Sequence, residues 1–232
     1  MAERHKDIWI IDFDNYTKQL TTQTMKNLLL LITCILSLSC TRIQAETEAQ
    51  KQAAADSIAA VNFNKKKVEA FKYCKANKMD TNVCVLVDMS IPSGKNRMFV
   101  VDFKKDSLLE KGLCSHGSCD GSTAPEKVGS APHFSNVPSS YCSSIGKYKV
   151  GNRSYSNYGI QVHYKLHGLE STNNNAFRRI VVLHSYFGVP NYEVYPDQAM
   201  TSLGCPMVSN DHMTYLDKLF KKRKNVLLWI YK

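Results

Sequence analysis

From Asn77 to the C-terminus, short runs of β-branched and aromatic residues are broken every few positions by Gly, Ser, Asn or Pro. That pattern restricts this part of the chain to a mainly β domain. Expected strands cover 83–90, 98–103, 112–115, 148–150, 160–164, 180–184 and 226–231. Pro92-Ser93-Gly94 and Gly146, next to Lys147, mark turns. One segment breaks the rule. Asp211 to Lys222 spaces Met213, Leu216, Leu219 and Phe220 at helical intervals and predicts a short amphipathic helix. The expected class is therefore mainly β, of the α+β kind, with a few short helices.

Upstream, Glu46 to about Lys75 is rich in Ala, Gln, Glu and Lys and contains neither Gly nor Pro, which favours helix. Its apolar stripe (Ala53–Ala55, Ile58, Val61, Val68, Phe71) is broken, and it suits a stalk as well as a helix packed on the domain. Before it, Met25-Lys26-Asn27 is followed by a mostly apolar run from Leu28 to Leu38 and small residues ending at Cys40. One positive charge, a short apolar run and small residues make a secretory leader, too short to span a bilayer comfortably. Residues 1–24 then read as sequence upstream of the true start. Leu36-Ser37-Leu38-Ser39-Cys40 is similar to a lipoprotein signal that would acylate Cys40, with leucine displaced from its usual place; cleavage after Ala45 is the alternative. The organisation expected is 1–45 as early start plus leader, 46–76 as helical linker or stalk, and 77–232 as the mainly β domain.

With 44% hydrophobic and 22% charged residues, the chain excludes a disordered class and has room for one substantial core. The first forty residues carry four basic and four acidic side chains, so the formal charge of +10 belongs to the remainder. The densest run, Lys221-Lys222-Arg223-Lys224, reads as the solvated end of the last helix, where cations complement the dipole. No nucleic-acid motif accompanies it, and no nucleic-acid partner is expected.

If Cys34 and Cys40 belong to the leader, six cysteines remain: Cys74, Cys84, Cys114, Cys119, Cys142 and Cys205. Reserving one as a nucleophile leaves an odd five, so at most two disulfides form among them. Cys114/Cys119 and Cys74/Cys84 are nearest in sequence, which does not establish connectivity. His116 lies between two cysteines, but the spacing matches no zinc pattern, so neither metal nor cofactor is expected.

Chemistry concentrates between Arg179 and Ser209. Ile180-Val181-Val182-Leu183 delivers His184, followed by Ser185, at the end of a strand. Downstream stands Ser202-Leu203-Gly204-Cys205-Pro206. Glycine lets the backbone approach a substrate and proline stiffens the chain leaving the thiol. A thiol, a base and nearby backbone N–H groups are the parts of covalent acyl chemistry.

This arrangement resembles the catalytic signature of the YkuD-type L,D-transpeptidases, and Gly204-Cys205-Pro206 is similar to the divergent branch of murein L,D-transpeptidase catalytic domain-like proteins. His116-Gly117, His133-Phe134-Ser135-Asn136, Ser143 to Tyr148 and Leu166-His167-Gly168-Leu169-Glu170 fall in the order of that branch. Departures are Leu203 where the familiar branch has His, Ser185 where this branch usually has Gly, and an unmatched stretch from Tyr186 to Met200. The resemblance implies a YkuD-type β-sandwich or barrel-like domain. It also implies peptidoglycan stem peptides as partners and a thioester on Cys205, with His184 as base and the Ser185 carbonyl orienting it.

On the same basis, N–H groups around Gly204 and Cys205 would hold the oxyanion. His167, Ser202, Arg179, Asn136 and His116 are the expected substrate contacts. An amine acceptor would give transpeptidation, water would give L,D-carboxypeptidase activity, and a third reading is a peptidoglycan-binding lipoprotein without catalysis. The expected place is the periplasm or cell envelope, with membrane contact only through a lipid on Cys40. A neighbouring imidazolium would favour the Cys205 thiolate.

Overall fold

The computed structural model describes residues 61–127 and 129–232, together with a few helical positions before them (22, 24–27, 30, 31 and 50). The leader and Cys40 lie outside the described residues. The chain divides into two units at Val61/Asn62, and the sheet with its packed helices belongs to the second.

Residues 61–76 are helical and form the described part of helix α1. Eight strands follow: β1 (Val83–Asp88), β2 (Met98–Asp102), β3 (Ser107–Gly112), β4 (Gly146–Tyr155), β5 (Val162–Gly168), β6 (Val182–Ser185), β7 (Met207–Val208) and β8 (Leu227–Tyr231). Helix α2 (Asn210–Phe220) lies between the last two. They form one sheet in the order β3-β2-β1-β8-β4-β5-β6-β7. The chain leaving β3 returns to the far edge, where Ser115 N–H donates to the Met207 carbonyl at 2.7 Å. The sheet is therefore nearly closed and barrel-like, which leaves little unpaired edge.

β1 is buried along its whole length, and strand alternation explains how. Val83, Val85 and Val87 face a core shared with Tyr148, Leu166, Leu183, Leu228 and the apolar side of α2 (Met213, Leu216, Phe220). Cys84 and Leu86 face the other way, with Leu227, Trp229 and Tyr231, against Ala70 and Cys74 of α1. The described part of α1 thus packs on the sheet, where Phe63 meets Phe99 at 5.2 Å and Phe71 meets Phe103 at 5.1 Å between ring centroids. Two buried faces on one strand account for its nearly unbroken apolar run.

α2 starts where Ser209 caps it by accepting from His212 N–H, and Asp211 and Lys218 complement its dipole at the two ends. Expected and observed bounds differ most in three strands. β3 occupies 107–112 instead of 112–115, because its Glu110 and Lys111 lie on an exposed edge and give no apolar alternation. β4 runs on to Tyr155 through a bulge between Val150 and Arg153, with a polar outer half that sequence pattern does not mark as strand. β7 is two residues long, too short for any periodicity.

One disulfide is present among the described cysteines, Cys119–Cys142, and neither pair nearest in sequence is joined. Cys74, Cys84 and Cys114 are buried free thiols and Cys205 is a half-buried one.

Candidate active site

The placement of Cys205 and His184 follows from one parallel strand pair. β6 and β7 run side by side with His184 opposite Met207, two residues beyond Cys205. His184 N–H donates to the Pro206 carbonyl at 3.5 Å. Base and thiol therefore hang from adjacent backbones and line one cleft of about 530 Å³ with Arg179, Ser202 and Leu203.

His184 Nδ1 lies 3.1 Å from the Ser185 carbonyl oxygen. A carbonyl only accepts, so Nδ1 carries the proton and Nε2 is left with the lone pair a general base needs. Burial holds the His184 pKa below the ordinary histidine value, against the Ser185 hydrogen bond, which raises it; His163 lowers it further. Burial also pushes the Cys205 thiol up, while Val182 N–H and the Arg179 charge pull it down. The Val182 N–H donates to Cys205 Sγ at 3.5 Å and the thiol donates to the Ile180 carbonyl at 3.8 Å. Neither shift favours the expected thiolate–imidazolium pair, and the thiol is held by the backbone of 180–182.

The loop carrying Cys205 is tightly held. Gly204 has φ +113°, and a Cβ there would meet the Cys142 carbonyl at 3.0 Å, so glycine is required. A Cβ on Gly117 would lie 2.7 Å from Gly204 Cα. Ser143 Oγ accepts from Gly117 N–H and donates to the Gly204 carbonyl, at 2.9 and 3.0 Å. The Cys119–Cys142 bridge joins the two segments packed behind that loop. Ser202 Oγ donates to the Cys205 carbonyl at 2.6 Å and accepts from Gly204 N–H at 3.2 Å. The Gly204 N–H, expected in the oxyanion hole, is therefore engaged, whereas no described residue accepts from Cys205 N–H.

Arg179 reaches the cleft and also braces its wall. Its guanidinium donates to the carbonyls of Ser135 (2.8 Å) and Cys142 (2.6 Å) and to the hydroxyls of Ser144 (3.1 Å) and Ser140 (3.3 Å). It braces 135–144 while leaving its charge beside Cys205.

Three expected substrate contacts lie elsewhere. Asn136 donates to the Ser171 carbonyl (2.9 Å) and Asn174 Oδ1 (2.8 Å), tying two loops together outside the cleft. His116 is 1% exposed, with Nδ1 2.7 Å from Arg97 Nη2 and Nε2 3.0 Å from Glu126. It touches the site only through its carbonyl, which accepts from Ser202 N–H. His167 stacks on Phe177 at 4.9 Å and lines a different cavity. Motif order grouped these residues with the site, but Asn136 and His116 lie in loops and bond to other partners, and His167 lies farther along β5.

Sequence reasoning missed His163 and the turn between β4 and β5. His163 stands directly opposite His184 across β5 and β6. The turn brings Tyr158 to 5.6 Å from the His184 ring and, with Tyr155, forms one wall of the cleft. Only a predicted register between β5 and β6 would have found His163, because no spacing links the two histidines.

Among solved structures, similar folds include an L,D-transpeptidase from Xylanimonas cellulosilytica (13% identity, TM-score 0.37, 65% of this chain and 60% of that one). Another is an L,D-transpeptidase from Mycobacterium smegmatis (12%, 0.39, 65% and 59%). A third is the helical cell shape determining protein Pgp2 from Campylobacter jejuni (11%, 0.43, 65% and 47%). This chain spans less than two thirds of the length of each. Comparison with curated proteins finds no match. The family model described as L,D-transpeptidase catalytic domain matches residues 55–231, most of the chain and all of the site. The chain belongs to the L,D-transpeptidase catalytic domain family.

Proposed function

We propose that the protein is a peptidoglycan-remodelling cysteine acyltransferase. His184 Nε2 takes the Cys205 proton, and the thiolate attacks the carbonyl of the third residue of a stem peptide. The amide bond to the terminal D-amino acid breaks, and the His184 proton goes to the leaving amine. An amine acceptor then attacks the thioester, forming a new amide and releasing the thiol. Cys205 N–H serves the oxyanion, a contribution of about 3–4 kcal/mol per donor in acyl-transfer enzymes. Arg179 supplies positive charge beside the developing thiolate.

The observation that carries this reading is the shared cleft: Cys205 and His184 line it together, with His184 Nδ1 held at 3.1 Å by the Ser185 carbonyl. A pure wall binder has no use for a base in that tautomer. The test is a mass shift of the intact protein with a carbapenem, followed by mass spectrometry of peptidoglycan products. Acylation at Cys205 and new crosslinks support the transferase; loss of the terminal residue alone makes it a carboxypeptidase; no covalent adduct sinks both.

Export follows as a proposal from the apolar run before Cys40, and the Cys119–Cys142 bridge suits an oxidising compartment. Fractionating wild type and Cys40→Ala tests lipid anchoring, since equal solubility of the two after export would favour cleavage after Ala45.

A further inference from the structure

A second cavity, of about 430 Å³, opens between the β4 bulge and the end of α2. Lys149, Arg153, Lys221, Arg223 and Lys224 line it, joined by His167. Two carboxylates offset these five cations. Asp217 pairs with Arg153 and Lys221, both at 2.7 Å, and Asp80 pairs with Arg223 at 3.2 Å. That leaves an excess of three positive charges. Among the described residues, Lys149 and Lys224 have no carboxylate within ion-pair distance.

Lys149 is half-buried and stands opposite His167 across the strand pair. Like charges directly opposed in a sheet destabilise it. His167 responds accordingly: burial first, then Lys149 and Lys165, push its pKa down. The bulge adds room at this point. A Cβ on Gly151 would stand 2.5 Å from His167 Nε2, so glycine keeps that imidazole edge clear. A solvated helix end explains Lys221 to Lys224 but not a half-buried lysine on the opposite wall.

We propose that this cavity binds a phosphate-class anion. A single carboxylate would leave two of the three excess charges uncompensated, whereas a phosphate dianion leaves one and has enough oxygens to meet Lys149, Lys224 and His167 together. The site is separate from the Cys205 cleft. His163 and His167 share one face of β5, and four residues of strand put about 13 Å between them. The proposal does not rest on the acyl-transfer chemistry.

The test is a titration of the full chain with inorganic phosphate at constant ionic strength, made up with chloride, following the His167 imidazole by NMR. Saturable movement of His167, with its titration midpoint rising as phosphate binds, is the expected result. In Lys149→Ala/Lys224→Ala the apparent Kd should weaken at least about tenfold. An unchanged urea unfolding midpoint in the same variant reports that the fold is intact. Vesicles of phosphatidylglycerol, against phosphatidylcholine, distinguish the source. Variant-sensitive sedimentation with the former identifies a lipid headgroup, and binding of phosphate without vesicle capture identifies a free anion. A His167 response no larger than with chloride, or unchanged binding in the double variant, overturns the proposal.

Discussion

The backbone N–H of His184 donates to the carbonyl of Pro206, the residue that follows Cys205. This bond ties the proposed base to the proposed nucleophile through main chain alone. Their relative position is therefore set by β6 and β7, while the thiol rests against the Ile180 carbonyl and the Val182 N–H.

Because burial raises the Cys205 thiol, its alkylation should increase with pH. His184→Ala should move the profile to higher pH and cut carbapenem acylation by at least about a hundredfold. His167→Ala should leave the profile where it is, since His167 lies in the other cavity. A displaced thiol profile in His167→Ala would contradict this placement. Cys205→Ala should abolish acylation while the thermal transition is retained.

His163 faces His184 across the strand pair and depresses its protonation. His163→Gln removes a like charge, so the His184 midpoint should rise toward the ordinary histidine value. The acid limb of the alkylation profile should move up with it. NMR titration of the His184 ring measures this directly, and an unchanged midpoint would remove His163 from the site's electrostatics.

Arg179→Met should have two separable effects. Loss of its bonds to 135–144 should cost about 2 kcal/mol of stability, read from the urea midpoint. Loss of its charge should shift Cys205 alkylation to higher pH, while Arg179→Lys, which keeps charge but not the fork, should restore the profile more than the stability.

His212 is 4% exposed and burial lowers its pKa to about 4. In the unfolded chain it takes a proton as pH falls below about 6.5, whereas the folded chain resists until about 4. Its contribution is therefore complete above about 6.5 and declines across that window, by about 3 kcal/mol in full. His212→Gln should flatten the pH dependence of the urea midpoint between pH 7 and 4.5.

Local signals were legible where physics is local. β1, β2 and β8 declared themselves through apolar runs that two buried faces demand, and α2 through its apolar spacing. Gly204-Cys205-Pro206 marked the thiol through a contiguous motif, whereas the reason for its glycine, φ +113° beside the Cys142 carbonyl, came only from the structure. The edge strand β3 and the two-residue β7 were not legible, since partners stabilise them rather than their own composition.

By itself the sequence determined the mainly β class, the choice of Cys205 and His184 as candidate thiol and base, and the motif order that carries the family likeness. Tertiary structure decided which side chains meet. His163 joins the cleft because β5 pairs with β6 in one particular register. His167, on the same face of the same strand, is four residues too far along and enters the basic cavity. Asn136 and His116 turn to loops and to Arg97. Spacing fixes the face a residue takes on its own element, but only the register between elements determines which faces look into the same space.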